Sequence, residues 1–380
     1  MQNTTHVILV RHGRSTYNDQ GRYQGSSNHS VLAQKGIETA RLVGKYLSHT
    51  PINIIYTSPL RRVQQTAVEI SKMMSAHPPA TISPELKEIA LAHWEGLTYA
   101  QVKEQFASDY SRWQHHPYEF ELPIHPDSPA SGNIAVTTDT YFPVRDLYQA
   151  ARQFWLKTLP RHPNGKILIV SHSGTIHALL STALGITASA HHSLQQSNCG
   201  ISELAFTGDS FSTASVQLHQ LNQTTAIGET LPKLKVSKKG LRLLLLASDR
   251  LTTNSWKPLS AWLNKIPIDF CLSADDDREQ FQPLIHQHPK ALWLGAQEPD
   301  FLQGWQHHLC QSRQPAETLM TGLAIASTRS IQKLLIQTLG GNVERCDRLL
   351  IRPAHLSVVH YPYTHRPVVQ AINLPFESSS

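Results

Sequence analysis

The run Val7-Ile8-Leu9-Val10 stops at Arg11-His12-Gly13, and this junction constrains the fold more than any other feature of the chain. Four apolar, β-favouring residues read as a short buried strand. In an open α/β sheet, ligand chemistry collects in the crevice beyond the carboxyl ends of the strands. A cation, an imidazole and a glycine at that position suit attack on a phosphate. Arg11 can fork onto phosphate oxygens. His12 can act as a nucleophile. Gly13 lets another backbone come close. A three-residue pattern is short, and three further segments give it weight.

The first is Tyr56-Thr57-Ser58-Pro59-Leu60-Arg61-Arg62, where a strand over 52–56 gives way to a helix. Val63, Ala67, Ile70 and Met74 then form one apolar face at helical spacing. Arg62 falls in the first helical turn, beside unpaired backbone N–H groups and the positive end of the helix dipole, which makes an anion site. The second segment is Leu86-Lys87-Glu88-Ile89, followed by Trp94-Glu95-Gly96-Leu97-Thr98. The third is Ile167-Leu168-Ile169-Val170-Ser171-His172-Ser173-Gly174, another apolar strand that delivers a histidine at its carboxyl end. A helix carrying Ile176, Leu179, Leu180 and Ala183 follows it. Residues 37–47 read as a further covering helix. Strands alternating with helices predict an α/β fold: a three-layer αβα sandwich around a mostly parallel sheet.

These segments, in this order, resemble the histidine phosphatase superfamily, the phosphoglycerate-mutase-like clan, over residues 6–222. Within it, Gln24-Gly25-Ser26-Ser27, Phe142-Pro143-Val144-Arg145-Asp146-Leu147 and Gln196-Ser197-Asn198-Cys199-Gly200-Ile201 are similar to the plant 2-carboxy-D-arabinitol-1-phosphatases and their cyanobacterial relatives. The resemblance implies His12 as nucleophile, with Arg11, Arg62 and His172 as phosphate ligands. It places Asn18, six residues past His12, as a further phosphate donor. It makes Glu88, in the Leu-x-Glu element, the proton donor, with Glu85, Glu95 and Glu104 as neighbouring carboxylates. Ser173 departs from the family's usual glycine after the second histidine, and a small hydroxyl there is compatible with the site.

Composition narrows the class. The 380 residues suffice for two domains, and 40% hydrophobic with 16% charged residues describes a globular chain. A net charge of +6 favours anionic substrates mildly. No basic run or aromatic-basic stripe points to nucleic acid, and the apolar run Leu243–Ala247 is too short to span a bilayer. The four cysteines (Cys199, Cys271, Cys310, Cys346) have no CxxC spacing and read as ordinary thiols in a reducing compartment. The first strand begins too near Met1 for a signal peptide, so a cytoplasmic location is expected. The 22 histidines include the pairs His115-His116, His191-His192 and His307-His308, without HExxH or a His/Cys ladder. No metal site and no cofactor is expected, and a homo-oligomer is compatible with the sequence.

The expected organisation is a catalytic domain over 1–222, a linker over 223–240, and a second domain over 241–380. The Pro-, His- and Ser-rich stretch at about 77–145 reads as an insertion that caps the pocket, with an irregular loop over 115–141. The second domain reads as a smaller, degenerate copy of the first. Leu244–Arg250 lines up with Ile8–Arg14, Pro267–Arg278 with Pro51–Arg62, and 322–361 with 167–206 without a gap. Arg11 then corresponds to Ala247, His12 to Ser248, Gly13 to Asp249 and His172 to Ser327, while Arg278 keeps an Arg62 equivalent. Without a nucleophile or the second histidine, phosphoryl transfer is not expected there.

The functional expectation is a metal-independent phosphomonoester hydrolase, working through a phosphohistidine on a small, carboxylated phosphometabolite resembling 2-carboxy-D-arabinitol 1-phosphate. A phosphoserine phosphatase and a phosphoglycerate mutase are the alternatives within the fold. Glu88 is followed by Ile89-Ala90-Leu91, without the arginine that family mutases place there. A non-enzymatic phospho-ligand-binding scaffold is the alternative of another class, and it suits the second domain better than the first.

Overall fold

The computed structural model describes residues 3–123, 140–249, 256–274, 288–296 and 318–375. Arg278 and the middle of the 115–141 loop lie outside the described residues. The chain divides into two compact units: Met1–His192 with Gln196–Val216, and Ser193–Gln195 with Gln217–Ser380. The segment expected to be a linker, 223–240, therefore belongs to the body of the second unit, and the division falls before residue 222.

The first unit contains β1 (Thr4–Arg11), α1 (Thr16–Asp19), α2 (Gln34–Tyr46), β2 (Ile54–Thr57), α3 (Arg61–Ser71) and β3 (Ala80–Ile82). After these come α4 (Tyr99–Gln105), α5 (Ala107–His115), β4 (Leu122–Pro123), β5 (Thr140–Tyr141), α6 (Pro143–Thr158), β6 (Lys166–Ser171), α7 (Ser173–Leu184) and β7 (Ile201–Thr207). The main sheet runs β7-β1-β6-β2-β3. β1, β6, β2 and β3 are parallel and β7 is antiparallel to β1. Val7, Leu9, Val10 and Ile167 to Val170 are all fully buried, which explains why the central strands read as unbroken apolar runs rather than alternating ones. The helices pack in pairs, α2 with α3 and α6 with α7. Val63, Ala67, Ile70 and Met74 are buried as the α3 spacing predicts.

The expected insertion is more regular than its composition suggests. Thr98 caps α4 by accepting from Gln101 N while the Gln101 side chain returns to Thr98 N. β4 and β5 pair across the ends of the predicted irregular loop, with Leu122 opposite Tyr141.

The second unit holds most of β8 (Ser215–Gln223), then β9 (Gly240–Ala247), α8 (Trp256–Leu263), β10 (Phe270–Ala274), β11 (Leu292–Ala296), β12 (Leu319–Ala326), α9 (Thr328–Thr338), β13 (His355–Tyr361) and β14 (Val368–Pro375). Its strand order is β11-β10-β12-β9-β13-β14-β8. β9, β12, β10 and β11 are parallel, and β13 is antiparallel to β9. Strand order and sense from β13 to β11 match those from β7 to β3. The register matches as well. Arg11 sits beside Ser171 and Ala247 beside Ala326; Thr57 sits beside Val170 and Ser273 beside Ile325; Val10 sits beside Ile201 and Leu246 beside Leu356. Beyond the strand ends, His12 N donates to Ser171 O (2.8 Å) and Ser248 N to Ala326 O (2.9 Å). Among the described residues, no helix is long and apolar enough to cross a membrane.

Close approach of α2 and α3 rests on Gly44. A Cβ there would lie 2.3 Å from Ile70 O and 2.8 Å from Met73 Cβ. Alanine at a helix interior ordinarily gains up to about 1 kcal/mol over glycine. Here Gly44→Ala should instead destabilise the first unit, because overpacking costs about 1–3 kcal/mol and backbone is what stands in the way. Chemical denaturation of the variant checks this, and a rise in midpoint would contradict it.

Candidate active site

The carboxyl ends of β1, β2 and β6 bring the predicted residues together. β1 ends at Arg11, and the chain turns through His12 and Gly13 toward α1. Gly13 is indispensable to this turn: a Cβ on it would lie 2.6 Å from Gly36 O. Gly13 N donates to Thr66 Oγ1 at 3.0 Å, tying the turn to α3.

His12 is 2% exposed, and its Nδ1 lies 2.8 Å from the carbonyl oxygen of Gly13. A carbonyl only accepts, so Nδ1 carries the proton and the lone pair resides on Nε2. This is the acceptor a nucleophilic histidine requires, and it is supplied by the next residue. The His172 ring lies edge-on to His12, with centroids 5.3 Å apart. His172 is fully buried, and its Nε2 is 2.8 Å from Ser58 Oγ. Ser58 Oγ also accepts from Leu60 N at 3.3 Å.

Two guanidinium groups complete the shell. Arg62 is fully buried; its two terminal nitrogens donate to Ser27 O (2.8 Å) and Gly25 O (2.9 Å). Burial pulls its pKa down to about 10, with Arg11 adding repulsion and Glu88 and Glu95 acting in opposition. Arg11 donates to Gln196 O at 2.8 Å, and burial lowers its pKa too, against the attraction of Tyr99 and Glu88. Arg11 Nε, Arg62 Nε and His172 Nδ1 are buried without a hydrogen-bond partner. Leaving buried polar atoms unpaired is costly, so these three mark a place for a hydrogen-bonding ligand.

Glu88 sits at the amino end of α7. Its Oε2 accepts from Gly174 N (3.1 Å), and Oε1 from Thr175 N (3.1 Å), Ile89 N (3.0 Å) and the Thr175 hydroxyl (3.3 Å). Gly174 permits this approach, since a Cβ there would lie 2.7 Å from Glu88 Oε1. Two of the three neighbouring carboxylates are engaged elsewhere: Glu85 pairs with Lys157, and Glu95 accepts from Ser26 N and Oγ (2.6 and 3.1 Å). Asn18 serves first as a cap. Its Oδ1 accepts from Ser15 N (3.2 Å), Ser15 Oγ (3.0 Å) and Asn198 Nδ2 (3.2 Å), so its amide nitrogen is the group left for a ligand.

Sequence reasoning did not assign Ser58, Thr66, Glu95, Gln196 or Asn198. Ser58 lies within the Arg62 segment and Thr66 just after it, Glu95 lies in the segment that follows Glu88, and Gln196 and Asn198 share one loop of the resemblance, so position was the available signal. Among the described residues, no group of three or more His, Cys, Asp or Glu side chains could hold a metal ion.

An imidazole with its Nδ1 proton held by a carbonyl thus lies among two guanidinium groups and a second, neutral imidazole at the carboxyl edge of a parallel sheet. Residues 7–219 match the family model of the histidine phosphatase superfamily (branch 1), and the chain belongs to that superfamily. It is similar to the probable 2-carboxy-D-arabinitol-1-phosphatase of Arabidopsis thaliana, 36% identical over 225 residues, covering 59% of this chain and 43% of that one. It is also similar to the 2-carboxy-D-arabinitol-1-phosphatase of Triticum aestivum, 32% identical over 255 residues, covering 66% and 47%. The chain thus spans less than half the length of these two plant proteins. Phosphoserine phosphatase 1 of Hydrogenobacter thermophilus is 28% identical over 198 residues, covering 52% of this chain and 84% of that one.

His172 makes stability pH-dependent. Burial first, then the charges of Arg62, His12 and Arg11, hold its pKa well below the ordinary value. Above the unfolded pKa of about 6.5 neither state is protonated, and its contribution is complete. As pH falls below that value, only the unfolded chain takes up the proton, and stability drops by up to about 1.4 kcal/mol per pH unit. His191, buried with its pKa similarly lowered, adds to the loss. His172→Asn should flatten the fall in denaturation midpoint between about pH 6.5 and 5. An unchanged slope would assign the dependence to His191 and other groups.

Proposed function

We propose that the first unit is a phosphomonoester hydrolase working through a phosphohistidine on His12. The observation that carries this is the Nδ1 to Gly13 O bond at 2.8 Å, which puts the lone pair of a buried imidazole on Nε2 amid unsatisfied donors. His12 Nε2 attacks phosphorus in line, the N–P bond forms and the P–O ester bond breaks. Arg11, Arg62, His172 and the Asn18 amide hold the phosphoryl oxygens. Charge redistributes among these oxygens in the transition state, so fixed donors carry much of the catalysis. Glu88 gives a proton to the departing oxygen. It then takes one from a water whose oxygen attacks phosphorus, breaking the N–P bond and releasing inorganic phosphate and neutral His12.

The names of the plant relatives favour a small phosphorylated metabolite bearing a carboxylate, of the 2-carboxy-D-arabinitol 1-phosphate type. The Hydrogenobacter relative supports phosphoserine as the second reading, itself a carboxylated phosphomonoester. A panel of phosphorylated metabolites assayed with chelator present separates these from a mutase, which would return phosphate to substrate rather than to water.

For the second unit we infer a degenerate copy of the first, built on the same strand order and register. Ser248, Asp249 and Ser327 stand where His12, Gly13 and His172 stand in the first unit. Asp249 Oδ1 accepts from Thr328 N and Oγ1 (2.9 and 2.8 Å), and Ser327 caps α9 through Ser330 N at 3.2 Å. This carboxylate occupies a helix start that would otherwise favour an anion. The unit's role is then structural or interactive rather than catalytic.

His12→Ala should reduce turnover below detection, and acid-labile, base-stable phosphate should label the wild-type chain at His12 during turnover. A variant retaining a tenth of the wild-type rate would overturn the covalent mechanism.

Glu88→Gln should discriminate by leaving group. Alkyl phosphates should slow by roughly 10²–10⁴, the usual worth of a positioned proton donor. p-Nitrophenyl phosphate, whose phenolate leaves unaided, should lose far less in the phosphorylation step. Uniform loss would remove Glu88 from the proton-donor role.

A further inference from the structure

The turn over 196–200 lies directly behind the nucleophile. Gln196 O accepts from the Arg11 guanidinium at 2.8 Å, and Cys199 N donates to Arg11 O at 3.0 Å. Cys199 adopts a left-handed conformation (φ 58°), and Gly200 N closes the turn onto Ser197 O at 3.0 Å. The turn thereby presents Asn198 to the next residue of β1's extension. Asn198 Nδ2 donates to His12 O at 3.0 Å and to Asn18 Oδ1 at 3.2 Å.

We propose that Asn198 is a positioning residue of the phosphoryl-transfer site, fixing the His12 tautomer and the orientation of the Asn18 amide at once. The proposal rests on the phosphohistidine reading above. Its first arm runs through one peptide plane. His12 O and Gly13 N belong to the same rigid unit. Asn198 holds that unit at the oxygen, and Thr66 Oγ1 holds it at the nitrogen. With the plane clamped at both ends, the following carbonyl, Gly13 O, is directed at His12 Nδ1. Freeing one end lets that carbonyl swing away and lets the proton move to the attacking nitrogen.

The second arm concerns which end of the Asn18 amide faces a ligand. Ser15 has one hydroxyl proton and two candidate acceptors, Gln24 Oε1 at 2.8 Å and Asn18 Oδ1 at 3.0 Å. When that proton goes to Gln24, Ser15 N and Asn198 Nδ2 remain to define the Asn18 oxygen. A carboxamide has two N–H groups, and both are used here. Serine has one donor and aspartate has none, which accounts for the residue type.

The test uses full-length protein with Asn198→Asp and Asn198→Ala, checked for folding by chemical denaturation. Asn198→Asp keeps the shape but sets an acceptor against two acceptors. Phosphoenzyme formation should slow about 10–100-fold in both, the scale of a small misplacement of reacting groups. The aspartate variant should be the slower, and inorganic phosphate should bind more weakly in parallel. In ¹⁵N spectra of histidine-labelled protein, His12 (identified by its loss in His12→Ala) should change from a single Nδ1–H form to a tautomer mixture. Thr66→Val, which releases the other end of the same peptide, should produce the same mixture and serves if either Asn198 variant fails to fold. Packing alone predicts the reverse order, with the isosteric aspartate better than alanine. That order, or unaltered His12 nitrogens in the folded variants, would overturn the proposal while leaving the phosphohistidine intact. Turnover retained by His12→Ala would instead overturn the reading beneath it.

Discussion

Two guanidinium groups near one another, the half-buried Arg11 and the fully buried Arg62, impose the condition to which the rest of the first unit responds. Burying a charge without compensation costs several kcal/mol. Here the compensation is mostly not an ion pair. Arg62 is held by the carbonyls of Gly25 and Ser27, and Arg11 by that of Gln196. Backbone dipoles stabilise the cations without neutralising them, so their charge stays available to a ligand. The loop over 24–27 is shaped for this task. Glu95 holds it from behind through Ser26, and Gly25 takes a left-handed conformation (φ 49°) that favours glycine.

The same two cations govern the histidines. They oppose protonation of His172, which burial already disfavours, and so keep it neutral rather than a third positive charge. A neutral His12 with its proton pinned on Nδ1 is the corresponding condition for nucleophilicity. Cys199, although it abuts Arg11, is held as the neutral thiol. Burial drives its thiol pKa up to about 12, against the pull of Arg11.

Strands and their carboxyl ends were legible in the sequence because buried parallel strands are continuous apolar runs. That legibility extended to Arg11, His12, Arg62, Glu88 and His172, each of which sits where a strand or a recognised segment delivers it. What holds them was not legible, because much of it is backbone. The carbonyls of Gly13, Gly25, Ser27 and Gln196 leave no mark on residue identity, and the Asn198 carboxamide follows a left-handed turn rather than a period. The helices over 99–115 were only weakly periodic for a different reason. Val102 and Trp113 are their only fully buried residues, so the apolar stripe that identifies a helix is nearly missing. The clearer signal there was the Thr98 and Gln101 capping box. Where one unit ends and the next begins was hidden because β8 has an ordinary strand pattern, and its pairing with β14, Leu221 opposite Ile372, is a tertiary choice.

The two units meet one requirement of helix ends in opposite ways. After the strand that follows each crossover, a helix begins with backbone N–H groups that need an acceptor. At α7 the acceptor is Glu88, brought from a distant segment to Gly174 and Thr175. Its carboxylate therefore stands at the start of the helix that follows His172, within electrostatic reach of Arg11 and Arg62. At α9 the acceptor is Asp249, the residue in register with Gly13, reaching Thr328 from the end of β9. Placing the carboxylate at that position satisfies the helix locally and needs no distant segment. It also sets a fixed negative charge where the first unit has a glycine open to close approach. Under duplication, Ala247 stands for Arg11 and Ser248 for His12, so one of the two cations and the imidazole are lost. On the degenerate-copy reading proposed above, a self-contained cap at this sheet end replaces the carboxylate that the first unit brings from a distant segment.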